Sequence, residues 1–357
     1  MRNVHSDVDE GDVPVGSEQA GAWQNPVEHL GALTDLATPF AVRVAATLGV
    51  AEQLAAGVQD LDALAIAVGA DAGALGRLLR YLTHRDVFTE DKEGFFDLTD
   101  TGRLLIARGD DGQRNWLDLE GLGGRMDLAY TGLLHSIRTG EAAYATVYGA
   151  SLWQELDADA DSRRYFDDLM LSQQLRTAPQ VADLYDWQQV SAVVDIGGGS
   201  GGLLAEVLLR HPHLRGVLVD LPNAPGVARR TFAERGVQDR AEIVAGNFFE
   251  QLPAGSDVYV VSRALSDWPD QAASTILRRC GDAAGAEGRI LIVEVLPTDP
   301  QVPYATAFDL QMLVTVGGRE RTLADFEALA ATAGLAVTRT LRGADGLVLL
   351  ECACGSS

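Results

Sequence analysis

The chain is short of positive charge: 28 Lys and Arg stand against 51 Asp and Glu, a formal net charge of −23 over 357 residues. That balance opposes extended contact with nucleic acid or a membrane surface, both of which need basic patches. Cysteine is equally scarce. Cys280, Cys352 and Cys354 are too few for a disulfide framework, and Cys352-x-Cys354 lacks the second ligand pair of a zinc site. We read them as free thiols in a reducing cytoplasm and expect no metal. No apolar run approaches the roughly 20 residues that a bilayer span requires. The first 25 residues are rich in Asp, Glu, Gly and Ser, with no signal-peptide core, and read as a disordered leader. The 47% hydrophobic content suffices for two folded domains with cores, and small neutral or cationic partners suit the charge.

What is present is a glycine-rich turn. Val193-Val194-Asp195-Ile196-Gly197-Gly198-Gly199-Ser200-Gly201-Gly202 reads as an apolar strand, a carboxylate, and a turn opening a helix whose free N–H groups suit a nucleotide. Gly197, Gly199 and Gly202 also fit G-x-G-x-x-G, so NAD and FAD stay open on the glycines alone. Asp195 tilts the choice: a carboxylate there repels a pyrophosphate but accepts from an ammonium or hydroxyl group, which suits the phosphate-free sulfonium S-adenosylmethionine (SAM). Asp220 ends the next apolar run, Gly216–Val219, where a carboxylate meets a ribose diol in either cofactor class.

Residues 26–109 read as amphipathic helices ending in a hairpin, a winged-helix arrangement. Its second helix carries Arg77, Arg80, His84 and Arg85, which suits either DNA binding or a dimerisation module; the acidic chain favours the latter. Residues 110–186 read as aromatic-rich helices, in which Tyr148, Trp153 and Met170 are core residues or the wall of an aromatic pocket. From 187 to 357, strands near 192–196, 216–220, 242–245, 258–262 and 289–294 alternate with helices, as in a parallel sheet. Two further runs, 336–341 and 347–351, are joined by too short a connection for a parallel crossover and predict a terminal antiparallel hairpin.

These residues resemble the small-molecule O-methyltransferases that carry a dimerising winged-helix domain before a SAM domain. The resemblance rests on Asp195–Gly201, Gly246-Asn247-Phe248-Phe249, Asp267-Trp268-Pro269-Asp270, Ile276–Cys280 and Gly317-Gly318-Arg319-Glu320-Arg321-Thr322. Asp35–Leu48 is similar to the bacterial branch acting on naphthoates, anthracyclines and related aromatic polyketides. It implies an α/β, Rossmann-like SAM domain with the antiparallel C-terminal hairpin, behind an α-helical winged-helix dimerisation domain, in a homodimer acting on a small aromatic substrate. It also implies that Asp195, Gly197 and Gly199 hold the methionine end, Asp220 with Leu221 the ribose, Phe248 and Trp268 the adenine faces. Ser262 adds a main-chain contact and Arg163 a partner for the SAM carboxylate. Asn247 departs from the family's Asp at the adenine amine, although an amide oxygen still accepts that bond. Phe308 and Met312 join the expected substrate wall.

The larger departure lies at the chemistry. The family's His-Asp-Trp stands here as Ser266-Asp267-Trp268, and a serine hydroxyl cannot take a proton near neutrality. The two supporting glutamates are kept as Glu294 and Glu320, expected to orient whatever occupies position 266. Arg263 is either a fixed cation that acidifies a phenol or pairs with a carboxylate, or a surface-paired side chain. Three readings follow: an aromatic O-methyltransferase working largely by proximity, with Asp267 as proton acceptor; an enzyme that keeps SAM as a bound charge during other chemistry, the route of relatives that have lost the His; and a ligand-responsive DNA-binding or scaffolding protein.

Overall fold

The computed structural model describes residues 25–106, 113–221, 225–296 and 305–355; the expected leader, Asn25 aside, lies outside them. Helices α1 (Pro26–Leu33), α2 (Ala37–Thr47), α3 (Val50–Ala55), α4 (Leu61–Val68) and α5 (Ala72–Thr83) lead into strands β1 (Phe88–Glu90) and β2 (Phe96–Leu98). Asp60 and Asp71 start α4 and α5 by accepting from the N–H groups of Ala63 (2.9 Å) and Ala74 (2.8 Å). Gly69 ends α4 in the left-handed conformation. Leu64, Leu75, Leu79 and Leu82 bury against Phe88 and Phe96 of the antiparallel wing. Within this domain Arg80 pairs with Glu90 (2.9 Å) and Arg85 with Asp35 (3.6 Å), so two of the side chains considered for DNA contact are engaged internally. Helix α1 buries nothing; Leu30 and Leu33 are 62% and 71% exposed.

Helix α6 (Asp100–Arg103) closes this domain, and α7 (Gln113–Leu117), α8 (Leu122–Leu128), α9 (Leu133–Thr139), α10 (Tyr144–Tyr148) and α11 (Leu152–Ala158) lead to the 25-residue α12 (Ala160–Leu184). The sheet is then built by β3 (Ala192–Ile196), α13 (Gly202–Arg210), β4 (Arg215–Asp220), α14 (Pro225–Glu234), β5 (Ala241–Ala245), β6 (Val258–Ser262), α15 (Asp270–Ala284) and β7 (Arg289–Val295). Helices α16 (Ala305–Val316) and α17 (Leu323–Thr332) precede β8 (Leu335–Arg342) and β9 (Leu347–Cys354). Strand order is β5-β4-β3-β6-β7-β9-β8, parallel through β7, with β9 and β8 antiparallel as expected. The terminal strands run past the apolar stretches, because backbone pairing continues through the polar residues to Leu335 opposite Cys354.

The direction of the winding reverses at β3, between β4 and β6, so the crevice for a ligand opens beyond the carboxyl ends of those strands. Gly197, Asp220 and Arg263 stand at these ends. Among the described residues, no helix is long and apolar enough to cross a membrane.

Candidate active site

The turn after β3 requires its glycines: Gly197, Gly199 and Gly201 have φ of +68°, +53° and +75°. Nothing lies within 4.0 Å of the place a Gly199 Cβ would take except Gln174 Nε2, at that distance, so the ligand side of the turn stays open. Gln174 of α12 clasps the turn from behind. Its Nε2 donates to the Gly198 carbonyl (3.3 Å), and its Oε1 accepts from Ser200 Oγ (2.9 Å) and Gly202 N (3.0 Å). Nothing in the local pattern of α12 singled this residue out. Asp220 accepts from Gly199 N (2.8 Å) and Leu221 N (2.7 Å), which fixes its carboxylate at the end of β4.

Both oxygens of Asp195 are buried without a hydrogen bond among the described residues, and a Cβ on Gly198 would sit 2.6 Å from Oδ2. Strand alternation places Asp195 on the face of β3 that Val193 shares, near Leu203, Leu204 and Val207 of α13. Burial, helped by the nearby Asp220 charge, pushes its carboxyl up to about 7. Arg163 of α12 draws on Asp220 electrostatically and pairs with Asp157 (3.4 Å), yet its Nε is buried without a partner. An unpartnered donor and a polarised carboxylate beside an open glycine turn fit the amino-acid tail and ribose of SAM.

At the other end, Phe248 meets Trp268 edge-on (centroids 6.1 Å), and Phe249, missed from sequence, does so at 4.9 Å. Trp153, read from the sequence as core or as the wall of an aromatic pocket, stacks on Trp268 with planes 10° apart. Asn247 Oδ1 already accepts from Phe249 N at 3.0 Å, which ties that oxygen to its own turn. Ser262 is the last residue of β6, paired with Val293. Tyr148 packs beneath the Arg125 guanidinium (4.1 Å) and donates to the Arg125 carbonyl (3.1 Å), holding the helical core. Met170 is half-buried on α12, and Met312 is buried on α16.

In the charged cluster the two glutamates hold an arginine. Arg263, a non-glycine residue at φ +55°, donates through Nη1 to Glu294 Oε2 (3.3 Å) and through Nη2 to Glu320 Oε1 (3.3 Å). Its guanidinium lies 5.2 Å over the ring of Phe308. It is neither exposed nor surface-paired, and the two glutamates hold it rather than position 266. Ser266 is buried, its hydroxyl donating weakly to the Arg263 carbonyl at 3.4 Å. The reason is reach: a guanidinium on a long stem occupies the carboxylates that a serine side chain is too short to meet. Burial raises both glutamates, with Arg263 opposing, and Glu294 Oε1 has no partner.

Asp267 has no side-chain hydrogen bond among the described residues, and burial pushes its carboxyl up to about 7 against the pull of Arg263. The segment carrying it is pinned by Arg321, fully buried and also missed from sequence. Arg321 donates to the carbonyls of Leu265 (2.7 Å) and Trp268 (2.8 Å) and to Asp270 (2.8 Å). Gly318 permits this seat, since a Cβ there would come within 2.0 Å of the Ser266 carbonyl oxygen. Among the described residues no cluster of His, Cys, Asp and Glu could hold a metal ion.

Comparison with known proteins places this geometry. Residues 130–336 match the O-methyltransferase domain model and residues 31–108 the O-methyltransferase dimerisation domain model. The 2,7-dihydroxy-5-methyl-1-naphthoate 7-O-methyltransferase of Streptomyces carzinostaticus is 46% identical, over 87% of this chain and 93% of its own. Aclacinomycin 10-hydroxylase RdmB of Streptomyces purpurascens is 42% identical, over 85% and 83%. A crystal structure of the O-methyltransferase NcsB1 from neocarzinostatin biosynthesis, with SAM and 2-hydroxy-5-methyl naphthoic acid, superposes with a TM-score of 0.85 at 43% identity, covering 91% of this chain and 98% of that one. The chain therefore belongs to the O-methyltransferase family and is a SAM-dependent methyltransferase.

Proposed function

We propose that the enzyme methylates a phenolic hydroxyl of a naphthoate-type or related polyketide intermediate in antibiotic biosynthesis, with Asp267 receiving the proton. The observation that carries this reading is the site's division of labour: Arg263 is locked between Glu294 and Glu320, and Asp267 beside them has no side-chain hydrogen bond among the described residues. Bound SAM supplies a methyl group on a cationic sulfur with a good leaving group. Gly197 and Gly199 would admit its tail to the backbone, Arg163 would hold its carboxylate, Asp220 its ribose, and Phe248 and Trp268 its adenine.

A guanidinium carries five N–H donors and cannot accept a proton near neutrality. After its carboxylate contacts, Arg263 retains donors for the acceptor oxygen, which it orients and acidifies, while Asp267 is the carboxylate free to accept. Phe308 and Met312 line the acceptor's aromatic body. Holding the acceptor in line supplies about 7–11 kcal/mol of the barrier without a strong base. Similarity to a hydroxylase favours one second reading, in which SAM stays intact as a bound charge. Release of S-adenosylhomocysteine in step with product supports methyl transfer, and product without it supports the alternative.

The protein is proposed to act in the cytoplasm, without nucleic acid, as a homodimer that covers the apolar face of α1. Light scattering is expected to give twice the chain mass, and Leu30→Asp with Leu33→Asp to return it to the chain mass; a monomeric wild type contradicts this. Asp220→Ala should weaken SAM binding by about 1–3 kcal/mol in calorimetry. Asp195→Asn should cost clearly less, and equal losses would place Asp195 among the ligand contacts.

Activity should fall as the pH drops through about 7, since Asp267 must be ionised to accept a proton. In kcat/KM profiles, Asp267→Asn should lower the rate and remove that acid limb; a limb that persists assigns it elsewhere. Ser266→His alone should gain little on a weakly acidic phenol, because Arg263 occupies both glutamates. Added to Arg263→Ala, the same histidine should raise the rate over Arg263→Ala by up to about 10²–10⁴-fold. A large gain from Ser266→His alone would mean that the glutamates are free to orient it.

A further inference from the structure

We infer that Arg43, Asp127 and Gln311 form a bridge through which the dimerisation domain positions α16 and, with it, the acceptor side of the active site. Arg43 lies on α2, and its Nε donates to Asp127 Oδ2 at 3.2 Å, with Nη2 bonded to the same oxygen. The other oxygen of Asp127, Oδ1, accepts from Gln311 Nε2 at 3.0 Å. One carboxylate at the end of α8 thus joins a helix of the N-terminal domain to a helix of the catalytic one. Both members of the ion pair are sheltered, with side chains 22% and 20% exposed, so solvent screens the contact only in part.

What α16 carries makes this contact consequential. Phe308 lies beneath the Arg263 guanidinium. Asp309 Oδ1 accepts from Glu320 N at 2.6 Å, which sets the carboxylate gripping Arg263 from the other side. Gln311 follows Asp309 by two residues, and one turn earlier Ala307 accepts from the Tyr130 hydroxyl at 2.9 Å. Among the described residues the helix is therefore held to the α8–α9 segment by two side-chain ties, of which only the Asp127 tie continues to the dimerisation domain. The side chains of Arg43, Asp127 and Gln311 bond to one another and not to Arg263, Glu294 or Glu320 among the described residues. They are positioning residues, acting through Phe308 and Asp309 on the cluster of Arg263, Glu294 and Glu320. The cofactor crevice draws on β3, β4, α12 and the aromatic residues Phe248 and Trp268, and none of these carries a member of the bridge.

The test uses the full-length protein with Arg43→Gln, Gln311→Leu and their combination. Arg114→Gln serves as control, because Arg114 ties the same α2 to α7 through the Ala46 carbonyl (2.9 Å) without reaching α16. Hydrogen exchange is the readout that needs no substrate: Arg43→Gln should loosen residues 305–322 as Gln311→Leu does, and Arg114→Gln should not. With 1,4-dihydroxy-2-naphthoic acid as acceptor, a measurement that rests on the proposed methyl transfer, KM should rise by about 2- to 30-fold in each single variant, while SAM affinity changes less than about twofold. The double variant should be no worse than the more affected single one, as members of one bridge are not additive. Loosening confined to α2 in Arg43→Gln, or additive effects, would overturn the inference. A wild type inactive on naphthoates would overturn the acceptor assignment alone, and hydrogen exchange would then decide the bridge.

Discussion

The guanidinium of Arg263 between the carboxylates of Glu294 and Glu320 is the contact around which the acceptor site is organised. Two nearly inaccessible carboxylates are expensive to bury, and a buried pair is tolerated only when geometry and hydrogen bonds offset desolvation. The backbone at Arg263 gives up something as well: a left-handed conformation in a non-glycine residue costs on the order of 1–3 kcal/mol and persists where the surroundings over-determine it. Here the main chain is fixed by the Arg263 N–H on the Val293 carbonyl at 3.0 Å, immediately beside Glu294. The same strand neighbour that imposes the strain presents the counter-ion.

Other elements converge on this cluster. Arg321 secures the short segment behind Ser266 and Asp267, Gly318 lets the partner loop approach it, and α16 supplies both an aromatic floor and the carboxylate that seats Glu320. At this site the two glutamates hold an arginine, and Asp267 has no side-chain hydrogen bond among the described residues.

The cofactor half follows different physics. It relies on backbone shape: three glycines at positive φ, a carboxylate tethered to the turn, and Gln174 bracing it from α12. Burial raises the carboxyls of both Asp195 and Asp220 there.

Much of this was legible along the chain because it is local. The glycine turn, the strand ends at Asp220 and Ser262, and the short connection that forces an antiparallel hairpin all follow from backbone chemistry within a few residues. Gln174 and Arg321 were not legible: each acts across the fold on backbone atoms, and nothing in its own neighbourhood marks it. The face taken by the Asp195 carboxylate was not legible either, because strand alternation, not proximity to the glycines, decides it. Arg263 was recognised as unusual, yet its partners lie 31 and 57 residues onward, and whether they would hold it or position 266 depended on side-chain reach in three dimensions. The amino-acid order by itself determined the fold, the cofactor class and the identity of the groups available for chemistry. Only the tertiary structure decided which charges are paired, because pairing depends on distance and burial that sequence separation does not encode.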